Sequence, residues 1–425
     1  MKFKSLAAGL LTSVMLVTGA QAQEIQLEWW DFLGGGDGVR MKTLIEEFNA
    51  EHAGKIKINA TTLEWGTPFY TKVQTSAAVG EGPDLMTYHL SRLPLGVEGG
   101  ALSELTTEEL AAAGLASGDF GAANWQAAQV DGKTYAVPFD IHAIVLYYNK
   151  DILGKAGLLD ANGLPTGLDG VENFTAALAK VKEAGAEQGV SFQSAGDGTN
   201  WRIFYSLLGQ QGGTFLDADG QFLSGDNLDK AATAVQTMAD WVSGGYALSN
   251  VEYPASVAAF TGGKAAFHIN GVWEVPTMTD LHAKGELFEW GAIELPMFFT
   301  QKATWADSHA FAIPANPNGD DPATRAAALQ AIAWMNKHST FWATAGHIPA
   351  YNAARETEEF KTMQPNATYS VLADNSVFDP SSPLAGVASP TYAAIGNFVF
   401  PAISGEMTAQ EAVEGMRDDL QSQAY

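Results

Sequence analysis

The stretch "EIQLEWWDF" (24–32) alternates apolar and polar positions, the period-two pattern of a strand. "GGGDG" interrupts it, and "VRMKTLIEEFNAEHAG" then places Val39, Met41, Leu44, Ile45 and Phe48 at helical spacing. A second alternating run, "KIKINATTLE", predicts another strand. "PFYTKVQTSAAVGEG" predicts a helix closed by Gly80 and Gly82, and "PDLMTYH" a third, buried strand. Strand, helix, strand, helix, strand implies a parallel sheet with helices on its faces.

The pattern returns further along. "AIVLYYN" is a β-rich run followed by the helical "VENFTAALAKVKEAG", and "AAFHING", "WGAIELP" and "HAFAIP" predict further short strands. "PATRAAALQAIAWMNKH" reads as a helix with Pro322 near its start and Lys337 and His338 in its last turn. "AQEAVEGMRDDLQSQAY" reads as an amphipathic terminal helix, and "DADGQFLSGDN" (217–227) as a hairpin turning at Asp219-Gly220. Without a fixed-period repeat or a low-complexity linker, two α/β domains joined by crossing strands fit best.

The first 22 residues stand apart from this pattern. "MKFK" is a basic start, "LAAGLLTSVMLVTGA" an apolar run, and Ala20-Gln21-Ala22 a small-x-small cleavage site, the layout of a secretory signal. The run is short of the roughly 20 residues that span a bilayer. Composition agrees with a folded, exported chain: 425 residues, 46% apolar and 17% charged, read as globular with ample length for domains with real cores. There is no cysteine, hence neither a disulfide nor a lipobox residue for a lipid anchor. Free residence in the periplasm of a Gram-negative bacterium is expected. The formal charge of −25, more negative still once Lys2 and Lys4 leave with the signal, argues against a nucleic-acid partner. Solubility through self-repulsion accounts for it.

Candidate chemistry begins at "TWADSHAFAIP" (304–314), where Asp307, Ser308 and His309 are the ingredients of a hydrolytic triad. If 305–311 is extended, Trp305, Asp307, His309 and Phe311 share one face and Ser308 points the other way. A nucleophile must reach its base, and no G-x-S-x-G elbow is present. A local triad is not expected. The eight histidines form no H-E-x-x-H or H-x-x-x-H, so no metal site and no cofactor are expected. The 217–227 loop lacks ligands of a calcium loop, and "GGGDG" lacks the spacing of a phosphate loop. What remains is a dispersed set of aromatics beside polar groups: "EWWDF", "TYH", "NWRIFY", "NGVWE", "TWADSH", "SPTYAAIGNF". Flat rings that stack on sugar C–H faces, with planar polar groups that fork to hydroxyls, suit a carbohydrate cleft. Taken singly, each ring fits a core position as well.

In their order along the chain, "WWDFLGGGDG", "GEGPDLMTYH", "YAVPFDIHAIVLYYNKDIL", "LLGQQGGTF", "FTGGKAAFHINGVWE", "TWADSHAFAIP" and "GHIPA" give a resemblance that covers nearly all of the chain after the signal. The chain resembles the family 1 extracellular solute-binding proteins, the sugar receptors of bacterial ABC importers. The resemblance implies a two-lobed periplasmic binding protein fold of the α/β class, with hinge crossovers and an interlobe ligand cleft that closes on its sugar. It places 24–139 with 308–360 in an N-terminal lobe and 140–306 with 362–425 in a C-terminal lobe. "PFD" and "ADSHAF" would be the crossovers, putting Asp140, Asp307, Ser308 and His309 at the floor of the cleft. It further implies cleft contacts from Phe32, Gly36 and Asp37 after the first strand, and from Tyr88 and His89 at the end of the third. His142 stands where many relatives carry an acidic or polar contact. Asn200, Trp201 and Arg202 precede "GQQGG"; Trp273 matches a recurrent stacking tryptophan; Trp305, His347 and Tyr392 complete the set. The implied partners are a mono- or oligosaccharide and membrane permease subunits, with the receptor a monomer and not an enzyme. Two rival readings stand beside this one: a periplasmic glycoside hydrolase using Asp140 and Asp307, and a polyamine or other cation receptor on the same fold.

Overall fold

A computed structural model describes residues 23–424; the secretory signal expected at 1–22 lies outside the described residues. The architecture is built on two sheets. In the first, the strand order is Ile56–Thr62, Ile25–Asp31, Leu85–His89, His309–Ala312, Ala136–Pro138. The first three run parallel, with Ile25 opposite Ile56 and Trp29 opposite Leu85. The parallel sheet expected from these three segments is formed by them. His309–Ala312 and Leu85–His89 are antiparallel, as are His309–Ala312 and Ala136–Pro138. These two strands belong to segments that leave for, or return from, the second sheet, so they need no helical crossover.

The second sheet follows the order Ser376–Phe378, Thr304–Asp307, Asp140–Asn149, Ala265–Gly271, Gln188–Ser191, with Trp290–Ile293 and Ile348–Pro349 pairing on Asp140–Asn149. All ten residues of Asp140–Asn149 are buried, which explains why "DIHAIVLYYN" reads as a continuous β-rich run rather than an alternation. Ile348–Pro349 falls within 308–360 yet pairs with Ile141 and Asp140 of this sheet.

Helices cover the faces. Gly35–Glu51 lays Met41, Leu44, Ile45 and Phe48 on the core at i, i+3, i+4, i+7 spacing, whereas Val39 falls two residues off that stripe and is 62% exposed. Thr67–Val79 ends at Gly80, whose φ of +72° closes the helix in the left-handed conformation. The hairpin expected at 217–227 is a single antiparallel bridge between Leu216 and Phe222, with the Asp217 carboxylate tying the turn.

The sheets are joined where chains cross side by side. Phe139 separates Ala136–Pro138 from Asp140–Asn149, and Ser308 separates Thr304–Asp307 from His309–Ala312. The Phe139 N–H donates to the His309 carbonyl at 2.8 Å, and the Ala350 N–H to the Phe139 carbonyl at 3.0 Å. Three crossing segments thus form one hydrogen-bonded band. Among the described residues, no helix is long and apolar enough to cross a membrane.

Candidate functional site

At this band the fold gathers histidines that the sequence scatters. Asp140, fully buried, is the centre. Its Oδ1 accepts from the His309 N–H at 2.9 Å and from His142 Nδ1 at 3.1 Å. Its Oδ2 accepts from His309 Nδ1 and the Trp342 indole N–H, both at 2.8 Å. His347 lies flat against Trp342, with Nδ1 3.4 Å from Asp140 and Nε2 3.1 Å from Asp37. Burial opposes a charge on Asp140, but His309, His347 and His142 outweigh it and hold the carboxyl well below the usual range. Burial likewise opposes a proton on His347, yet Asp37 and Asp140 raise it above the ordinary imidazole value. His142 is pushed down to about 3, by burial first and then by His309. The ligand atoms of Asp140, His142, His309 and His347 lie within 4.8 Å of one another, as do those of His89, His142 and Asp307. Three imidazoles and a carboxylate are a donor set a tetrahedral metal can use. In this structure the Asp140 oxygens are engaged by N–H donors, and the cluster acts as a polar pin through the crossing band.

In front of this pin opens a cavity of about 650 Å³, lined from the first sheet's side by Phe32, Gly36, Asp37, Trp65, His89 and His309. His142, Arg202, Tyr253, Trp273 and Glu274 line it from the second. Phe32 stacks on His89 with ring centroids 4.5 Å apart, and Tyr70 and His89 Nδ1 are hydrogen-bonded at 2.5 Å. Burial, then the neighbouring His309 and His142, hold His89 well below its ordinary value, so it faces the cavity as a neutral ring. Opposite, the Arg202 guanidinium lies over Trp273 and Trp305, 4.7 and 4.8 Å from their centroids. The Trp273 indole N–H donates to the Tyr253 hydroxyl at 2.8 Å, and that hydroxyl donates to Glu274.

Of the residues singled out from the sequence, Phe32, Gly36, Asp37, His89, His142, Arg202, Trp273 and His309 lie on the cavity wall. The others stand behind it. Trp305 is fully buried beneath Arg202, and its indole N–H donates to Asp379 at 2.9 Å. Trp201 donates to the same Asp379 oxygen at 2.8 Å and stacks on Tyr205. Tyr392 is buried near Trp201, Tyr88 sits edge-on to Tyr70, and Asn200 braces its own loop through the Ser194 and Gly196 carbonyls. Asp140 and His347 belong to the pin.

Trp305, Asp307, His309 and Phe311 do not form the single extended face drawn from alternation. The chain changes sheet at Ser308, so Phe311 packs against Trp29 in the first sheet's core while Asp307 accepts from the Ser91 and Ser308 N–H groups and the Ser91 hydroxyl. The Ser308 hydroxyl donates to the His309 carbonyl, not to an imidazole, and no triad geometry forms.

Sequence reasoning missed Trp65, Tyr253, Glu274, Gln193 and Asp197 on the wall, and Asp379 behind it. Trp65 was open to detection, since it follows the second strand as Phe32 follows the first. Nothing in the sequence marks Asp379.

The fold has counterparts among solved structures. The GacH receptor of Streptomyces glaucescens, solved unliganded and with acarbose, superposes with a TM-score of 0.79 at 20% identity, covering 94% of this chain and 98% of its own. An ABC substrate-binding protein of Listeria monocytogenes in complex with cycloalternan gives 0.79 at 19% identity, covering 94% and 99%. Maltose-bound MalE3 of T. maritima gives 0.76 at 20% identity, covering 94% and 100%. These likenesses establish the two-lobed binding-protein fold. Residues 43–368 match the bacterial extracellular solute-binding proteins, and the chain belongs to that family.

Proposed function

We propose that this protein captures a carbohydrate between its two lobes and delivers it to the permease of an ABC importer, working as a periplasmic monomer that leaves its ligand intact. The observation that carries the reading is the composition of the cavity. Its volume of about 650 Å³ suits a mono- or oligosaccharide, and Trp65, Trp273 and Phe32 offer ring surface beside Asp37, Glu274, Arg202 and three imidazoles. The structural counterparts named above include receptors solved with acarbose, cycloalternan and maltose, which supports the same class of ligand here. The lobes are taken as 24–139 with 308–360 and 140–306 with 362–425.

Both rival readings find less support. A glycosidase needs two carboxyls facing a scissile bond, but Asp140 and Asp307 are fully buried and engaged by protein donors. A cation receptor needs uncompensated carboxylates; here Asp37 is paired with His347, and an arginine points into the cavity. Thermal-shift screening of neutral and acidic sugars, polyols and polyamines tests the reading, because a ligand bound only by the native state raises the melting point by mass action. A sugar should give the largest rise and be recovered uncleaved. A rise with polyamines alone, or shortened oligosaccharides after incubation, would reject it.

A further inference from the structure

Arg202 is unlike the other arginines of this chain. Arg40, Arg92, Arg325, Arg355 and Arg417 each donate to a carbonyl or carboxylate oxygen. Arg202 is only 9% exposed, yet its side chain makes no hydrogen bond or ion pair with any described residue, and its Nε is buried without a partner. Trp273 and Trp305, whose rings meet edge to face at 86°, hold the guanidinium in the corner between them, and Arg202 lines the cavity beside them. A buried cation without a counter-charge is costly, and a guanidinium fork matches an oxyanion with two parallel hydrogen bonds.

The surrounding acids do not supply that counter-charge. Asp37 is paired with His347, Glu274 takes the Tyr253 hydroxyl, and Asp197 sits exposed at the rim without pairing to Arg202. Asp379, behind Trp305, makes no ion-pair contact with Arg202; burial, then the charge of Asp307, pushes its carboxyl up to about 7, and the Arg202 charge only partly offsets them. Across the cavity stand the imidazoles of His89 and His309, and the one carboxylate named on that side, Asp37, is the one paired with His347.

We propose that the solute held in this cleft is a sugar bearing a fixed negative charge (a carboxylate, sulfate or phosphate ester) and that Arg202 is the group that pairs with it. This rests on the carbohydrate reading above and narrows it. The two indole contacts hold the guanidinium in place before the ligand arrives, so little side-chain freedom is lost when the pair forms.

Calorimetry and intrinsic tryptophan fluorescence on the full chain test this with matched probes: glucose against glucuronate, glucose 6-sulfate and glucose 6-phosphate, galactose against galacturonate, and α-1,4-galactotriose against trigalacturonate. An acidic probe should bind at least about tenfold more tightly than its neutral parent. The acidic arms separate carboxylate from sulfate and phosphate. Arg202→Gln should bring acidic and neutral members within about threefold of each other; the preference of the unaltered chain is read without relying on that variant. Neutral sugars binding as tightly as acidic ones would overturn the charge assignment and leave carbohydrate capture standing. Binding of malonate or tartrate with no sugar bound would overturn the carbohydrate reading and keep Arg202 as an anion site. Silence across the whole panel would overturn both.

Discussion

His309 closes on Asp140 twice, through its backbone N–H to Oδ1 at 2.9 Å and through Nδ1 to Oδ2 at 2.8 Å. One residue belongs to each crossover, so the pair stitches together the two segments that join the sheets. Asp140→Asn replaces an acceptor by an NH₂ group that must face N–H donors. A loss of about 2–4 kcal/mol in urea unfolding is expected, because a buried charged acceptor is removed and its donors are stranded. Stability within about 0.5 kcal/mol of the parent would show the stitch to be dispensable.

Trp273 holds one face of Arg202 and is anchored by Tyr253. Trp273→Ala should weaken solute binding at least about tenfold, since it removes a ring surface and frees the guanidinium. The melting point without solute should change little, because Trp273 is only partly buried. An unchanged dissociation constant by calorimetry would remove Trp273 from the binding surface.

Gly36 lies so close to Pro276 of the helix Val275–Ala283 that a Cβ there would sit 2.3 Å from the Pro276 Cβ. Gly36→Val should therefore wedge the cleft mouth rather than disturb either core. Solute affinity should fall by about tenfold or more, with the solute-free melting point nearly unchanged. Small-angle scattering with saturating solute should show the variant larger than the parent; identical radii would mean that Pro276 yields instead.

Asp379 gives a pH dependence with a definite sign. Its native carboxyl titrates at about 7, raised by burial, against 3.8 for the ordinary group. Between those values the native state holds a proton that the unfolded chain has released, so stability falls as pH rises through this window. Both tryptophan donors use Oδ1, and an asparagine oxygen can accept them equally. Asp379→Asn should remove this slope and be more stable than the parent at pH 8 by roughly 2 kcal/mol. Parallel stability curves for the two proteins would overturn the assignment.

His268 works in the opposite direction. Burial pushes it down to about 4, and its Nε2 accepts from the Asn270 amide while Nδ1 is held by Ser191. The native ring stays neutral where the unfolded one binds a proton, so stability falls as pH drops from 6.5 toward 4. An NMR titration of the His268 ring midway near 6.5 would contradict this.

The periodic signals carried much of the fold: the alternation of 24–32 and the apolar stripe of Met41, Leu44, Ile45 and Phe48 appear as the first strand and helix. Periodicity is local, however, and strand direction is not. The antiparallel strands of the first sheet arise from chain crossings that no window of residues reveals. Trp201 and Trp305 illustrate the same limit, since an indole in a core and one on a cavity wall look alike in sequence, and only packing put these two behind the wall. Strand alternation puts His142 beside Asp140, but His309 and His347 lie on other segments, so no spacing rule could collect them around that carboxylate.

The band made by Phe139, His309 and Ala350 has a mechanical consequence. Three chain segments bonded edge to edge should behave as a flat leaf: it flexes easily about a line across its width, but shear within its plane would break the bonds that join its plies. Opening and shutting of the cleft should therefore follow a single coordinate, which one pair of distance labels, one on each side, would report.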